Sequence, residues 1–149
     1  MYEFTAKTAD QSAHPVTTLT LPLDRRQRSR QRVVLDNGEE AAILLPRGTS
    51  LLDDDRLIST DGTVIRVRAA RELLTKVECK DTLLLARACY HLGNRHIPVQ
   101  ISQCSLLYQS DHVLDDMIRS MGLEVTQVSA SFEPEAGAFN RVANHSHGH

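Results

Sequence analysis

Asp111-His112-Val113-Leu114-Asp115-Asp116-Met117-Ile118-Arg119-Ser120-Met121-Gly122 is the stretch on which the fold turns. Val113, Leu114, Met117, Ile118 and Met121 recur at i, i+1, i+4, i+5 and i+8, the period of an amphipathic helix. Asp111 precedes them, and an aspartate there accepts bonds from the free N–H groups of the first turn, worth about 1 kcal/mol. Gly122 fits the left-handed position that ends a helix. Asp115 and Asp116 fall on the solvated face in this reading. The same signals recur upstream. Asp81 caps, Leu85, Ala88, Cys89 and Leu92 share one face, and Gly93 closes. Residues 76–79, 97–102, 106–108 and 123–132 read as strands around these two helices. The order is therefore β-α-β-β-α-β, the ferredoxin-like arrangement, in which two helices cover one face of a four-stranded antiparallel sheet.

Nearer the N-terminus the period changes to two. Residues 17–21 alternate, Arg28, Arg30 and Arg32 alternate before Val33-Val34-Leu35, and Asp36-Asn37-Gly38 is a hairpin signal leading into residues 41–45. Pro46-Arg47-Gly48 is a further turn. Thr60-Asp61-Gly62-Thr63 joins residues 57–59 to 64–68 as a second hairpin. Short strands at this spacing predict a small sandwich or barrel. The fold class is α+β with three parts: an N-terminal β domain over 1–73, a ferredoxin-like domain over 74–134, and a polar tail over 135–149. Residues 140–149 lack any hydrophobic pattern, which predicts disorder.

Composition sets outer limits. The 149 residues are 41% hydrophobic but only 4% aromatic with no Trp, so the core has to be aliphatic. A net charge of −2 gives the whole chain no strong pull toward nucleic acid or membrane. No apolar run approaches the roughly 18 residues of a membrane span. The first residues carry no basic-then-apolar export pattern. Cys79, Cys89 and Cys104 form no CxxC pair, which predicts reduced thiols in a cytoplasmic protein, packed as small hydrophobes.

Two features carry chemistry. The first is the run Arg25-Arg26-Gln27-Arg28-Ser29-Arg30-Gln31-Arg32. It has no interleaved aromatic residue for base stacking, and residues 1–75 balance it with 11 Lys+Arg against 11 Asp+Glu. It reads as a charged strand face, or a contact for an acidic protein partner, before it reads as a nucleic-acid site. The second is histidine. Six of the seven lie beyond residue 90, and imidazole is the common protein ligand for Ni, Zn and Cu. His91 falls in the last turn of the first helix, where the dipole favours a cation. His112 falls in the first turn of the second helix, where neutral imidazole is favoured. His96 lies in a helix-to-strand loop, and a lone imidazole there needs a second copy of the chain, across a two-fold axis, to hold a metal firmly. His145, His147 and His149 form a spaced tract long enough to reach a folded site. No GxSxG, HExxH or phosphate loop occurs.

Tyr90-His91-Leu92-Gly93-Asn94-Arg95-His96-Ile97-Pro98-Val99-Gln100 and Asp111-His112-Val113-Leu114-Asp115-Asp116-Met117 resemble the paired signatures of the UreE urease accessory proteins. Val33-Val34-Leu35-Asp36-Asn37-Gly38-Glu39 and Leu45-Pro46-Arg47-Gly48 extend the resemblance over nearly the whole chain. It implies an N-terminal domain resembling the peptide-binding domain of certain chaperones. It also implies a ferredoxin-like metal-binding domain through which the chain forms a homodimer, with His96 as the nickel ligand shared at the dimer axis. In relatives, a peripheral site uses the histidine of the Asp-His-Val-Leu motif and another two residues before it. Here those positions are His112 and Ser110. The implied function is a cytoplasmic nickel metallochaperone, not an enzyme, which delivers Ni2+ for urease assembly and also takes Zn2+, Cu2+ or Co2+ in vitro. The implied partners are the urease accessory GTPase and, through it, apo-urease. The alternatives are an arginine-rich RNA- or protein-binding adaptor and a metal-dependent hydrolase. The hydrolase would need an acid or base beside the metal, and no carboxylate adjoins His96 in sequence.

Overall fold

The computed structural model describes residues 1–136, and these divide into two compact units, residues 1–70 and 71–136. The first unit contains β1 (Tyr2–Thr8), β2 (Thr17–Leu21), a single turn of helix α1 (Leu23–Arg26), β3 (Arg30–Val34), β4 (Glu40–Leu44), β5 (Arg56–Ser59) and β6 (Val64–Ala69). One sheet holds all six strands in the order β2-β6-β5-β1-β4-β3. Both expected hairpins form, β3 with β4 and β5 with β6. Gly38 and Gly62 take φ of +92° and +87° in their turns, which is why glycine stands there. The two edge strands approach each other. Asp36 N–H donates to Thr18 O at 2.9 Å, and Thr20 donates its hydroxyl to the Asp36 carboxylate at 2.7 Å. The sheet is thereby nearly closed around an aliphatic core that includes Leu19, Ile43, Leu57 and Ile65.

The sequence pattern did not reveal β1 or α1. The four-residue α1 absorbs part of the arginine run. Arg26 is buried with Nε on Leu21 O at 3.1 Å, and Arg25 donates to Gln31 Oε1 at 2.7 Å and to Arg32 O at 3.1 Å. Two of the five arginines therefore hold the fold together, while Arg28, Arg30 and Arg32 are exposed.

The second unit contains β7 (Arg71–Glu78), α2 (Thr82–Asn94), β8 (Gln100–Ile101), β9 (Ser105–Gln109), α3 (His112–Ser120) and β10 (Thr126–Ser131). The strands order as β10-β7-β9-β8, every neighbouring pair antiparallel. This is the ferredoxin-like order expected from the sequence. Val77, Leu106 and Tyr108 from the strands pack with Leu85, Ala88 and Leu92 of α2 and with Leu114 and Ile118 of α3. Asp81 caps α2 through Leu83 N and Leu84 N, and Asp111 caps α3 through Val113 N and Leu114 N, as expected.

Three local expectations are corrected. β7 starts at Arg71, well before residue 76, because it pairs along its length with β10, a partner remote in sequence. β8 shrinks to two residues: the Ile97 N–H is already bonded to Leu92 O at 3.1 Å, and Pro98 has no N–H to give. Gly93 does not close α2, which runs one residue further to Asn94.

Candidate metal centre

The end of α2 is built as a Schellman motif. Arg95 is the C-cap. His96 N–H donates to Gly93 O at 2.9 Å, and Ile97 N–H to Leu92 O at 3.1 Å. The residue after the cap must turn left-handed, and that residue is His96, with φ of +60°. Gly93, three residues earlier, has no positive φ. Left-handed backbone costs an L-residue roughly 1–2 kcal/mol. The His96 side chain is exposed and makes no hydrogen bond within the described residues. Its own contacts therefore do not offset that cost.

His91, in the last turn of α2, is exposed, and its ring meets that of Tyr90 edge-on at 5.3 Å. His112 is the first residue of α3 and is exposed. Ser110, two residues before it, is engaged in the fold: its hydroxyl oxygen lies 2.9 Å from Gln127 Nε2 and 3.1 Å from the Thr75 hydroxyl. His145, His147 and His149 lie outside the described residues. Among the described residues, no three His, Cys, Asp or Glu side chains converge as a metal-binding group.

The acidic pair in α3 departs in part from the solvated face that its sequence predicts. Asp116 is solvated and pairs with Arg119 at 3.2 Å, but Asp115 is only 4% exposed. Its Oδ1 accepts the Tyr108 hydroxyl at 2.6 Å and the Thr75 hydroxyl at 2.8 Å. The buried stripe of α3 is Leu114, Asp115 and Ile118, and Val113 turns outward at 53% exposure. A polar residue sits on the core face because two buried hydroxyls from the sheet need an acceptor. Burial, and then the Asp115 carboxylate, push the Tyr108 phenol well above its ordinary range, so it remains a donor. The signal in the sequence was Tyr108 and Thr75 at inward strand positions.

On α2, Leu83 and Tyr90 are exposed at 59% and 67%. Ala86 and Gly93 are exposed on the same helical face, at i+3 and i+10 from Leu83. An apolar strip with two small residues thus leads along α2 toward His96.

A near-closed β unit followed by a ferredoxin-like unit with exposed histidines at its helix ends defines a two-unit α+β protein. Comparison with known families makes this specific. Residues 4–70 match the UreE urease accessory protein N-terminal domain, and residues 72–149 match its C-terminal domain. The urease accessory protein UreE of Citrobacter koseri is 56% identical over 133 residues, covering 89% of this chain and 86% of that protein. Those of Enterobacter sp. strain 638 and Alkalilimnicola ehrlichii are each 54% identical, covering 89% and 87% of this chain and 88% and 79% of their own lengths. The chain belongs to the UreE family of urease accessory proteins. This agrees with the resemblance drawn from the motifs and gives no support to the RNA-adaptor and hydrolase alternatives.

Proposed function

We propose that the protein is a non-catalytic Ni2+ carrier in which His96 imidazoles from two copies of the chain hold one ion between them. The observation that carries this is the placement of His96. A strained left-handed position that glycine would fill without cost is given to an exposed imidazole with no structural task, and such unoffset strain points to function. Among the described residues His96 belongs to no group of three His, Cys, Asp or Glu side chains that could hold a metal, and two-fold pairing is the economical way to add a second imidazole. The exposed Leu83, Ala86, Tyr90 and Gly93 strip supplies an apolar surface beside His96 for that pairing. His145, His147 and His149 complete the shell with water and leave it open for ligand exchange. His112, alone at the start of α3, adds one peripheral donor. Cu2+ outranks Ni2+ for such donors and Zn2+ and Co2+ compete, so nickel selectivity comes from supply and partner.

In this reading the unit up to Ala70 forms the partner-facing domain, the unit from Arg71 the metal-binding domain, and residues 135–149 its tail. The receiving complex is cytoplasmic, a urease accessory GTPase bound to apo-urease. No helix among the described residues is long and apolar enough to cross a membrane.

The test is calorimetric Ni2+ titration combined with molar mass by light scattering. One tight ion per two chains is expected, and it should vanish in His96→Ala. Undiminished stoichiometric binding in that variant would sink the proposal. Because the donor must be a neutral imidazole, affinity should fall as the medium is acidified.

A further inference from the structure

Cys79 and Cys104 lie directly opposite each other at the end of the β7–β9 ladder. The register pairs Leu74 with Gln109 and runs without a slip to Glu78 with Ser105. One residue beyond its end the Cys79 N–H donates to Cys104 O at 2.9 Å, which extends that register by one step to Cys79 opposite Cys104. Residues opposite each other in antiparallel strands project from the same face. Val77, two positions before Cys79, and Leu106, two after Cys104, both belong to the core on the helix-covered side, and Cys79 itself packs against that core. On that register Cys104 projects from the same face as Cys79, at the exposed end of the ladder in the turn before β9. A hydrogen-bonded antiparallel pair has Cα atoms about 5.5 Å apart, within the roughly 4.4–6.8 Å that a disulfide spans, while its Cβ atoms stand toward the long end of about 4.5–5.5 Å against about 3.5–4.5 Å in a relaxed bridge, so the bridge closes under some strain and is readily reduced. Neither is in a disulfide: Cys104 is exposed, and Cys79 is half-buried with its Sγ 3.4 Å from Asp81 O.

We propose that Cys79 and Cys104 are a modification site: a dithiol pair that closes to a cross-strand disulfide when it meets a low-molecular-weight disulfide such as oxidised glutathione. The step balances as two thiol exchanges. The exposed Cys104 thiolate attacks one glutathione sulfur, forming a mixed disulfide and releasing one glutathione thiolate. The Cys79 thiolate then attacks Cys104 Sγ and releases the second. The two cysteines are oxidised, oxidised glutathione is reduced to two glutathione molecules, and the two thiol protons end on the leaving thiolates. The bridge closes a loop over residues 79–104 that contains α2, His96 and β8. Oxidation thus fastens the segment that presents the imidazole, independently of whether that imidazole binds nickel.

Cys89 is the internal reference. Burial raises its thiol above the usual range, which disfavours the reactive thiolate.

The full-length, metal-free protein is incubated with oxidised glutathione and mapped by non-reducing peptide mass spectrometry. The expected result is one intrachain Cys79–Cys104 link in most chains, Cys89 unmodified, and full reversal by dithiothreitol. Cys104→Ser should leave Cys79 largely reduced under the same conditions. Because Cys104 is exposed, this variant keeps the fold, and circular dichroism checks that it does. A stable glutathione adduct on Cys104 beside a free Cys79, a bridge between chains through Cys104, or a bridge to Cys89 would each overturn the proposal.

Discussion

Helices α2 and α3 end in the same hydrogen-bond pattern but with different residues at the decisive position. At the end of α3, Met121 is the cap, Gly122 N–H bonds Arg119 O at 2.9 Å, and Leu123 N–H reaches toward Ile118 O at 3.4 Å. Gly122 takes φ of +89° and His96 takes +60° at the equivalent place on α2. One helix stops with the residue that backbone energetics favours. The other stops with a side chain the backbone resists. The two ends share one geometry, so the difference between them isolates what the imidazole is for.

The sharpest way to break that comparison is His96→Ala. If the imidazole is the shared ligand, Ni2+ affinity should fall by more than about 100-fold, since loss of even a ligand's supporting partner costs about 10–100-fold. Titration calorimetry reads this directly. Next is Gly122→His, which gives α3 the ending of α2. A Cβ at 122 would meet nothing within 4 Å, so the cost is backbone strain alone, about 1–2 kcal/mol of lost stability by denaturant melts. His96→Gly should do the reverse, stabilising the apo protein by about 1 kcal/mol while abolishing Ni2+ binding. A variant that lost both stability and metal would mean His96 is structural. The smallest effect is expected from Gly93→Ala. Its Cβ would meet nothing within 4 Å of this chain and its φ is not positive, so the unpaired chain should gain about 0.5–1 kcal/mol. If α2 pairs with its copy, the same methyl group should weaken association by analytical ultracentrifugation.

The comparison also marks how far the sequence could be read. The period change from two to 3.6, the capping aspartates at 81 and 111, and Gly122 were enough to lay out βαββαβ, because each is a local preference that tertiary packing did not overrule. Gly93 misled for the same reason. Glycine is the commonest helix stop, so a glycine near the end of the apolar stripe predicts the stop there, while the left-handed turn falls three residues later on His96. Sequence motifs pointed to His96 but could not reveal its backbone conformation, which is set by which carbonyls Ile97 and His96 find. β1 and the early start of β7 were missed because their partners, β4 with β5 and β9 with β10, lie far along the chain. A carboxylate beside another carboxylate is ordinarily solvated, so sequence alone predicts an exposed Asp115. Only the strand hydroxyls beneath it explain its burial.

That buried carboxylate has a consequence for how α3 is seated. A single oxygen of Asp115 takes a hydroxyl from each of two adjacent strands, Tyr108 on β9 and Thr75 on β7. The first turn of α3 is therefore pinned against rotation about its own axis, and the compass bearing of His112 from that turn is fixed with it. Since the phenol is held protonated by its surroundings, the pin stays in place when the medium turns alkaline.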